Sequence, residues 1–225
     1  MYKYIELDEL LPSIKAGQPL AFDTETQGKY GKICLAQFYQ SHWDKVLMIK
    51  NPQPIILMAY LAQLEDTPLI MQNASYDIST IQRQTGSRWI PHKFEDTLLL
   101  ARIAWPERSD YTLDKLLHRS LGFDPYNRLG LDKKAMQKAK WDVLVIPPKQ
   151  LLYGCLDVYH LLDLYNDVKH AEDSFSYKLD MLSLREALDW QNNGMCVDAD
   201  RLDEMYQDNL KQIEEYNVHI LVTSK

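Results

Sequence analysis

At 225 residues with 46% apolar content, the chain has enough hydrophobic material for one sizeable packed domain, or for a domain with an appendage. A formal net charge of -7 argues against a nonspecific duplex binder, because phosphate contacts are supplied by clustered Lys and Arg, although net charge hides local pattern. Cys34, Cys155 and Cys196 lack C-x-x-C spacing, the N-terminus "MYKYIELDEL" has no basic stretch leading into an apolar core, and the run "IILMAYLA" is too short for a bilayer; a disulfide framework, a zinc site, a secretion signal and a membrane span are therefore not expected.

From Pro19 to Lys50 the pattern is strand-like: "PLAFDTE", then "GKICLAQFYQ" after the turn-prone "QGKYGK", then "DKVLMIK". A three-stranded meander is the simplest arrangement. "PIILMAYLAQLE" reads as a helix, "PLIMQN" as a short buried strand, and "YDISTIQRQTG" as a helix stopped by Gly86. This alternation predicts a mixed sheet covered by helices, an α/β fold. After "KFEDTLLLARIAW" the chain reads as almost entirely helical. "YTLDKLLHRSLG" has Thr112 as its N-cap and Gly122 as its stop, and "PPKQLLYGCLDVYHLLDLYNDVKHAE" reads as one long helix entered through prolines. Two further helices, "LDMLSLREALDWQNNG" and "DADRLDEMYQDNLKQIEEYN", are split at "NNGMCVD", where Gly194 ends one and Asp198 or Asp200 caps the next. A domain boundary is placed near 172–176, giving residues 1–174 and a C-terminal helical segment, 175–225.

Asp23 and Glu25 in "LAFDTET" sit at i and i+2 of a predicted strand, so their carboxylates share a face, roughly 6–7 Å apart along it. Two adjacent like charges repel unless a cation lies between them. A solvated strand end is the ordinary reading of an isolated D-x-E, so further acids must decide. Two divalent ions roughly 3.5–4 Å apart can activate a water and stabilise the leaving oxygen in phosphodiester cleavage, provided several carboxylates converge. Asp77 in "MQNASYD" follows a short buried strand at the start of a helix, although an Asp there is also an ordinary cap. Asp157 in "YGCLD" lies four residues after Tyr153, so phenol and carboxylate share a helix face.

The ordered set D-x-E, N-x-x-Y-D and Y-x-x-x-D resembles the DEDD superfamily of 3′-to-5′ exonucleases over about residues 1–170, in the subclass that places Tyr four residues before the last Asp. The resemblance implies a ribonuclease H-like mixed β-sheet flanked by helices, here with a C-terminal helical appendage. It implies that Asp23, Glu25 and Asp157 hold a first Mg²⁺ or Mn²⁺ ion, that Asp23 bridges to a second, and that Asp77 supports the second through water. Four carboxylates and two such ions nearly cancel in charge, which reconciles phosphodiester hydrolysis with an acidic chain. A phenol of pKa about 10 is a poor proton acceptor at neutral pH, so Tyr153 is assigned to orienting the attacking water. By the same resemblance Asn73 holds its motif loop, and Thr24, Thr26 and Gln72 lie where the 3′ nucleotide would be met.

Between Lys115 and Lys140 the chain is locally basic, with Lys115, Arg119, Arg128, Lys133, Lys134, Lys138 and Lys140 against Asp114, Asp124 and Asp132. A solvated helical surface accounts for that composition. In related exonucleases a mobile segment crosses the site here, so Lys134, Lys138 and Lys140 are assigned to the substrate backbone. Tyr30, Phe38, Tyr111 and Tyr126 are the aromatics available to stack on a frayed strand, a core role suiting most of them.

The tail "LSLREALDWQNNGMCVDADRLDEMYQDNL" resembles the passage from exonuclease domain to polymerase thumb in family A DNA polymerases, which favours single-stranded or mispaired DNA 3′ ends over the RNA trimmed by RNase D-like enzymes. Polymerase palm motifs are not recognisable. The expectation is therefore an excised proofreading portion or a separately encoded subunit, as in a virus with a split polymerase gene, acting in the cytoplasm without membrane contact. A DNA polymerase polypeptide or another replication protein is the expected partner. A non-catalytic docking or end-binding module is the reading from another class, and the four mutually repelling carboxylates argue against it.

Overall fold

The computed structural model describes residues 1–28, 31–194 and 196–223. Tyr30 and Met195, which fall within the predicted stacking set and the predicted helix break, lie outside the described residues. In chain order the first unit comprises β1 (Tyr2–Tyr4), α1 (Leu7–Ser13), β2 (Leu20–Thr26), β3 (Ile33–Tyr39), β4 (Val46–Lys50), α2 (Pro54–Leu61), β5 (Leu69–Met71), α3 (Ala74–Thr85), β6 (Phe94–Asp96) and α4 (Thr97–Ala104). It continues through α5 (Leu113–Leu121), α6 (Pro125–Arg128), α7 (Lys133–Gln137), α8 (Pro148–Tyr159), α9 (Leu161–Val168) and α10 (Phe175–Asn193). A second unit, 193–225, holds α11 (Ala199–Thr223). No described helix is long and apolar enough to cross a membrane.

The sheet order is β1-β4-β3-β2-β5-β6. β2, β3 and β4 form the antiparallel meander that the sequence predicts, while β1 joins β4, and β5 and β6 continue from β2, in parallel. β2 shows why the sheet is covered on both faces. Its even-numbered Leu20 and Phe22 enter the core with Leu57, Ile78 and Leu188, under α2, α3 and α10, and Ala21 enters the opposite core with Leu116, Leu156 and Leu164, under α5, α8 and α9. The same alternation sends Asp23 and Glu25 to the α8 face and Thr24 and Thr26 to the α3 face.

One expectation needs correction. The long helix expected over 147–172 is broken at His160 (φ -91°, ψ -2°), whose ring bonds Asp163 Oδ2 at 3.0 Å in the first turn of α9. The break lets α9 pack against α4 and α5 instead of running on past the sheet. The compact first unit extends through Asn192, because α10 adds core residues to it. Tyr177 and Leu188 are buried, and the Tyr177 hydroxyl donates to Glu95 Oε2 at 2.5 Å and accepts from the Asp96 amide at 3.2 Å. The ends of several helices follow their cues: Gly86 and Gly122 close α3 and α5 in the left-handed conformation, and the Asp198 carboxylate accepts from the Arg201 amide at 3.0 Å before α11.

Candidate active site

Asp23 and Glu25, half-buried on β2, meet buried Asp157 of α8, with one carboxylate oxygen from each lying within 4.8 Å of the others. Residues 134 and 132 positions apart in the chain converge because α8 crosses the β2–β3 part of the sheet. Asp77 comes from the opposite side of the strand. Its Oδ1 accepts from the Thr24 amide at 2.9 Å and the Thr24 hydroxyl at 2.6 Å, so the first turn of α3 is tied to β2 between the two strand acids. All four acids, with Tyr153, line one cavity of about 390 Å³.

Burial, reinforced by the charges of Asp77, Asp157 and Glu25, pushes the Asp23 carboxyl well above its ordinary range. Burial and the Asp157 and Asp77 charges do the same to Glu25. Asp157 is raised by burial to about 6 even though Tyr126 and Lys133 pull it down, and Asp77 is raised by burial to about 7 against its two Thr24 bonds. Among the described residues none of the four forms an ion pair with Lys, Arg or His. A dense set of hard oxygen donors, with Lys133 near enough to act on Asp157 but not ion-paired to it, is the donor set that Mg²⁺ or Mn²⁺ takes.

Tyr153 is buried one turn before Asp157, and burial plus the neighbouring carboxylates hold its phenol protonated far above neutrality. The residues predicted to meet the 3′ nucleotide also line this cavity, but their polar atoms have protein partners. Thr24 holds Asp77. The Thr26 hydroxyl donates to the Gly28 carbonyl at 2.8 Å and pairs with the Tyr76 hydroxyl at 2.5 Å. Gln72 accepts from the Thr97 hydroxyl at 2.6 Å, and Asn73 adopts the left-handed conformation (φ 60°, ψ 55°) that turns the chain from β5 into α3. Lys134 lines a second cavity, of about 640 Å³, that shares Gln137 with the first; Lys138 and Lys140 are exposed. The segment carrying these lysines is bounded by buried Leu131 and buried Trp141, whose amide donates to Gln27 Oε1 at 3.0 Å. Of the stacking candidates, Phe38 and Tyr126 are buried and the Tyr111 hydroxyl donates to the Trp105 carbonyl at 2.8 Å.

Three supporting residues escape sequence reasoning. Buried Asp96 accepts from the amides of Asn73 and Ala74 at 3.0 Å and of Leu98 at 2.8 Å, bracing the turn before Asp77 while capping α4. An acid before "TLLLARIA" is a recognisable N-cap signal, but its second task is not. The Tyr126 hydroxyl donates to Asp157 Oδ1, a contact across 31 positions that no spacing announces. Gln37 is fully buried on the face it shares with Asp23, its register partner, and lies under Gly154 of α8. A methyl group at 154 would come within 2.6 Å of Gln37 Nε2. Gly154→Ala is accordingly expected to destabilise the protein by about 1–3 kcal/mol, overpacking outweighing the helix-propensity gain of about 1 kcal/mol. Urea unfolding checks this: Gln37→Ala in the same chain should recover most of the loss, and a more stable single variant would contradict the packing argument.

Residues 1–171 match the model of the 3′-5′ exonuclease family. The chain belongs to that family. Consistent with this, the chain is similar to the apo form of a nuclease, with a TM-score of 0.66 at 20% identity over 88% of this chain and 96% of that one. Escherichia coli RNase D gives 0.66 at 18% identity over 84% of this chain and 50% of its own, and Brucella melitensis NrnC with bound Mg²⁺ gives 0.59 at 15% over 85% and 88%. These superpositions show a shared fold, the ribonuclease H-like mixed sheet flanked by helices. No curated protein sequence matches the chain significantly.

Proposed function

We propose that this exonuclease hydrolyses single-stranded or frayed DNA from the 3′ end, using two Mg²⁺ or Mn²⁺ ions per site. The observation that carries the proposal is the convergence of Asp23, Glu25 and Asp157 within 4.8 Å at the wall of a cavity that also holds Asp77 and Tyr153. In this reading Asp23, Glu25 and Asp157 hold the ions, and Asp77, pinned by Thr24, supports the second. When bound, the ions activate a water and offset charge on the scissile phosphate. Tyr153 keeps its proton and directs the attacking water by hydrogen bonding. Thr24, Thr26, Gln72 and Asn73 shape the wall against the terminal nucleotide, and Lys134, Lys138 and Lys140 meet the backbone upstream of the cut.

The tail's likeness to family A polymerases supports DNA and a proofreading role, with a DNA polymerase polypeptide or another replication protein as partner of residues 176–225. RNA is the second reading, supported by the fold shared with Escherichia coli RNase D, which is an exoribonuclease involved in structured RNA processing. End-labelled DNA and RNA strands of matched sequence, incubated with the protein and Mg²⁺ or Mn²⁺, separate the two. A ladder shortened from the 3′ end of DNA is expected, with RNA cut at least tenfold more slowly. Faster RNA cleavage would replace the substrate, and no cleavage of either strand in either metal would remove the catalytic reading.

A further inference from the structure

We propose that Tyr126 is a positioning residue for the metal site, fixing the Asp157 carboxylate through its hydroxyl. The inference rests on the metal-site reading above. Tyr126 is 1% exposed and is the second residue of α6, a single turn capped by Asp124 and opened by Pro125, where the Asp124 carboxylate accepts from the Tyr126 amide at 2.9 Å. Its backbone is thus set by a cap, and its ring by packing. Tyr153 lies 5.6 Å away, centroid to centroid, and Lys133 Nζ stands 5.3 Å from the ring centroid while pairing with Asp114 at 2.7 Å. With ring and backbone both confined, the hydroxyl meets Asp157 Oδ1 in one orientation.

The last torsion of an aspartate is broad, and rotation about it would carry the Asp157 oxygens away from those of Asp23 and Glu25; the Tyr153 phenol, one turn before it, is the other group bonded to this carboxylate, and Tyr126 holds it from a second direction. A donor fixed on one oxygen sets the plane of the group. Partners that orient metal-ligating carboxylates in this way typically contribute 10–100-fold to metal affinity. A buried tyrosine also needs a hydrogen-bond partner for its own sake, and a purely structural bond would alter stability alone. Metal affinity distinguishes the two roles.

The test is Tyr126→Phe in the full chain, titrated with Mn²⁺ by calorimetry without nucleic acid, beside wild type and Asp157→Asn. We expect Tyr126→Phe to bind Mn²⁺ 10–100-fold more weakly than wild type. The Mg²⁺ concentration for half-maximal cleavage should rise in parallel, with the rate at saturating Mg²⁺ restored to within a few-fold. Thermal melts confirm that each variant is folded, and Tyr126→Leu, which also lacks the hydroxyl, serves should the Phe variant not fold. Mn²⁺ affinity within twofold of wild type in the folded variant overturns this inference alone. Wild type that binds no Mn²⁺ overturns the metal-site reading and the role of Tyr126 with it.

Discussion

Asp23→Asn is expected to lower the cleavage rate by on the order of 10³-fold or more, about 4 kcal/mol of transition-state stabilisation, while making the metal-free protein more stable at pH 8. The two effects share one cause. Asp23 is crowded by burial and by the charges of Asp77, Asp157 and Glu25, so its folded-state pKa lies well above the ordinary 3.8. A carboxyl raised in this way contributes stability that is fully present below its unfolded pKa and is lost as pH rises through the folded one. With Asp157 at about 6 and Asp77 at about 7, metal-free wild type should lose stability between about pH 4 and pH 7, and saturating Mg²⁺ should largely abolish that decline. The neutral amide removes one charge from the cluster without changing its shape. Melts in EDTA at pH 5 and pH 8 check this; a variant less stable than wild type at pH 8 would mean that the acids are not crowded.

Asp96→Ala should cost about 3 kcal/mol or more of stability and reduce cleavage with it. Its carboxylate accepts from the amides of Asn73, Ala74 and Leu98, so truncation leaves buried donors unsatisfied and removes the N-cap of α4. Asn73 sits in the left-handed region, and the brace on its amide helps to hold the turn that presents Asp77. Asp96→Asn, which retains an acceptor oxygen, should lose less. Urea unfolding of both variants supplies the measurement, and a change below 1 kcal/mol for the alanine variant would show that the turn holds without its brace.

The meander and the α3 helix with its Gly86 stop were legible because each has a local cause, period-two alternation or a left-handed stop, whereas each of the four acids alone had an ordinary reading and they were singled out as a set only by the ordered motifs that resemble the DEDD exonucleases. β1 and β6 were not legible: each is only three residues long, and unlike the equally short but wholly apolar β5 (LIM) they read YKY and FED, which give no apolar run to mark a strand. The helical period of 147–172 continues through His160, where tertiary packing rather than composition sets the break. Asp96, Gln37 and Tyr126 stay hidden for a related reason. Each acts on a residue distant in sequence, and only the fold brings the pair together.

The way the lysine-bearing segment is pinned bears on how tightly a polyanion could be held. Leu131 and Trp141 are buried at its two ends, and between them α7 is a single turn capped by the Asp132 carboxylate, which accepts from the Ala135 amide at 3.1 Å, so part of the torsional freedom of residues 132–140 is already spent in the unliganded protein. A disordered basic arm would forfeit roughly 1–2 kcal/mol for each residue immobilised on contact. A segment ordered in part beforehand would forgo a matching part of that penalty on meeting a polyanion.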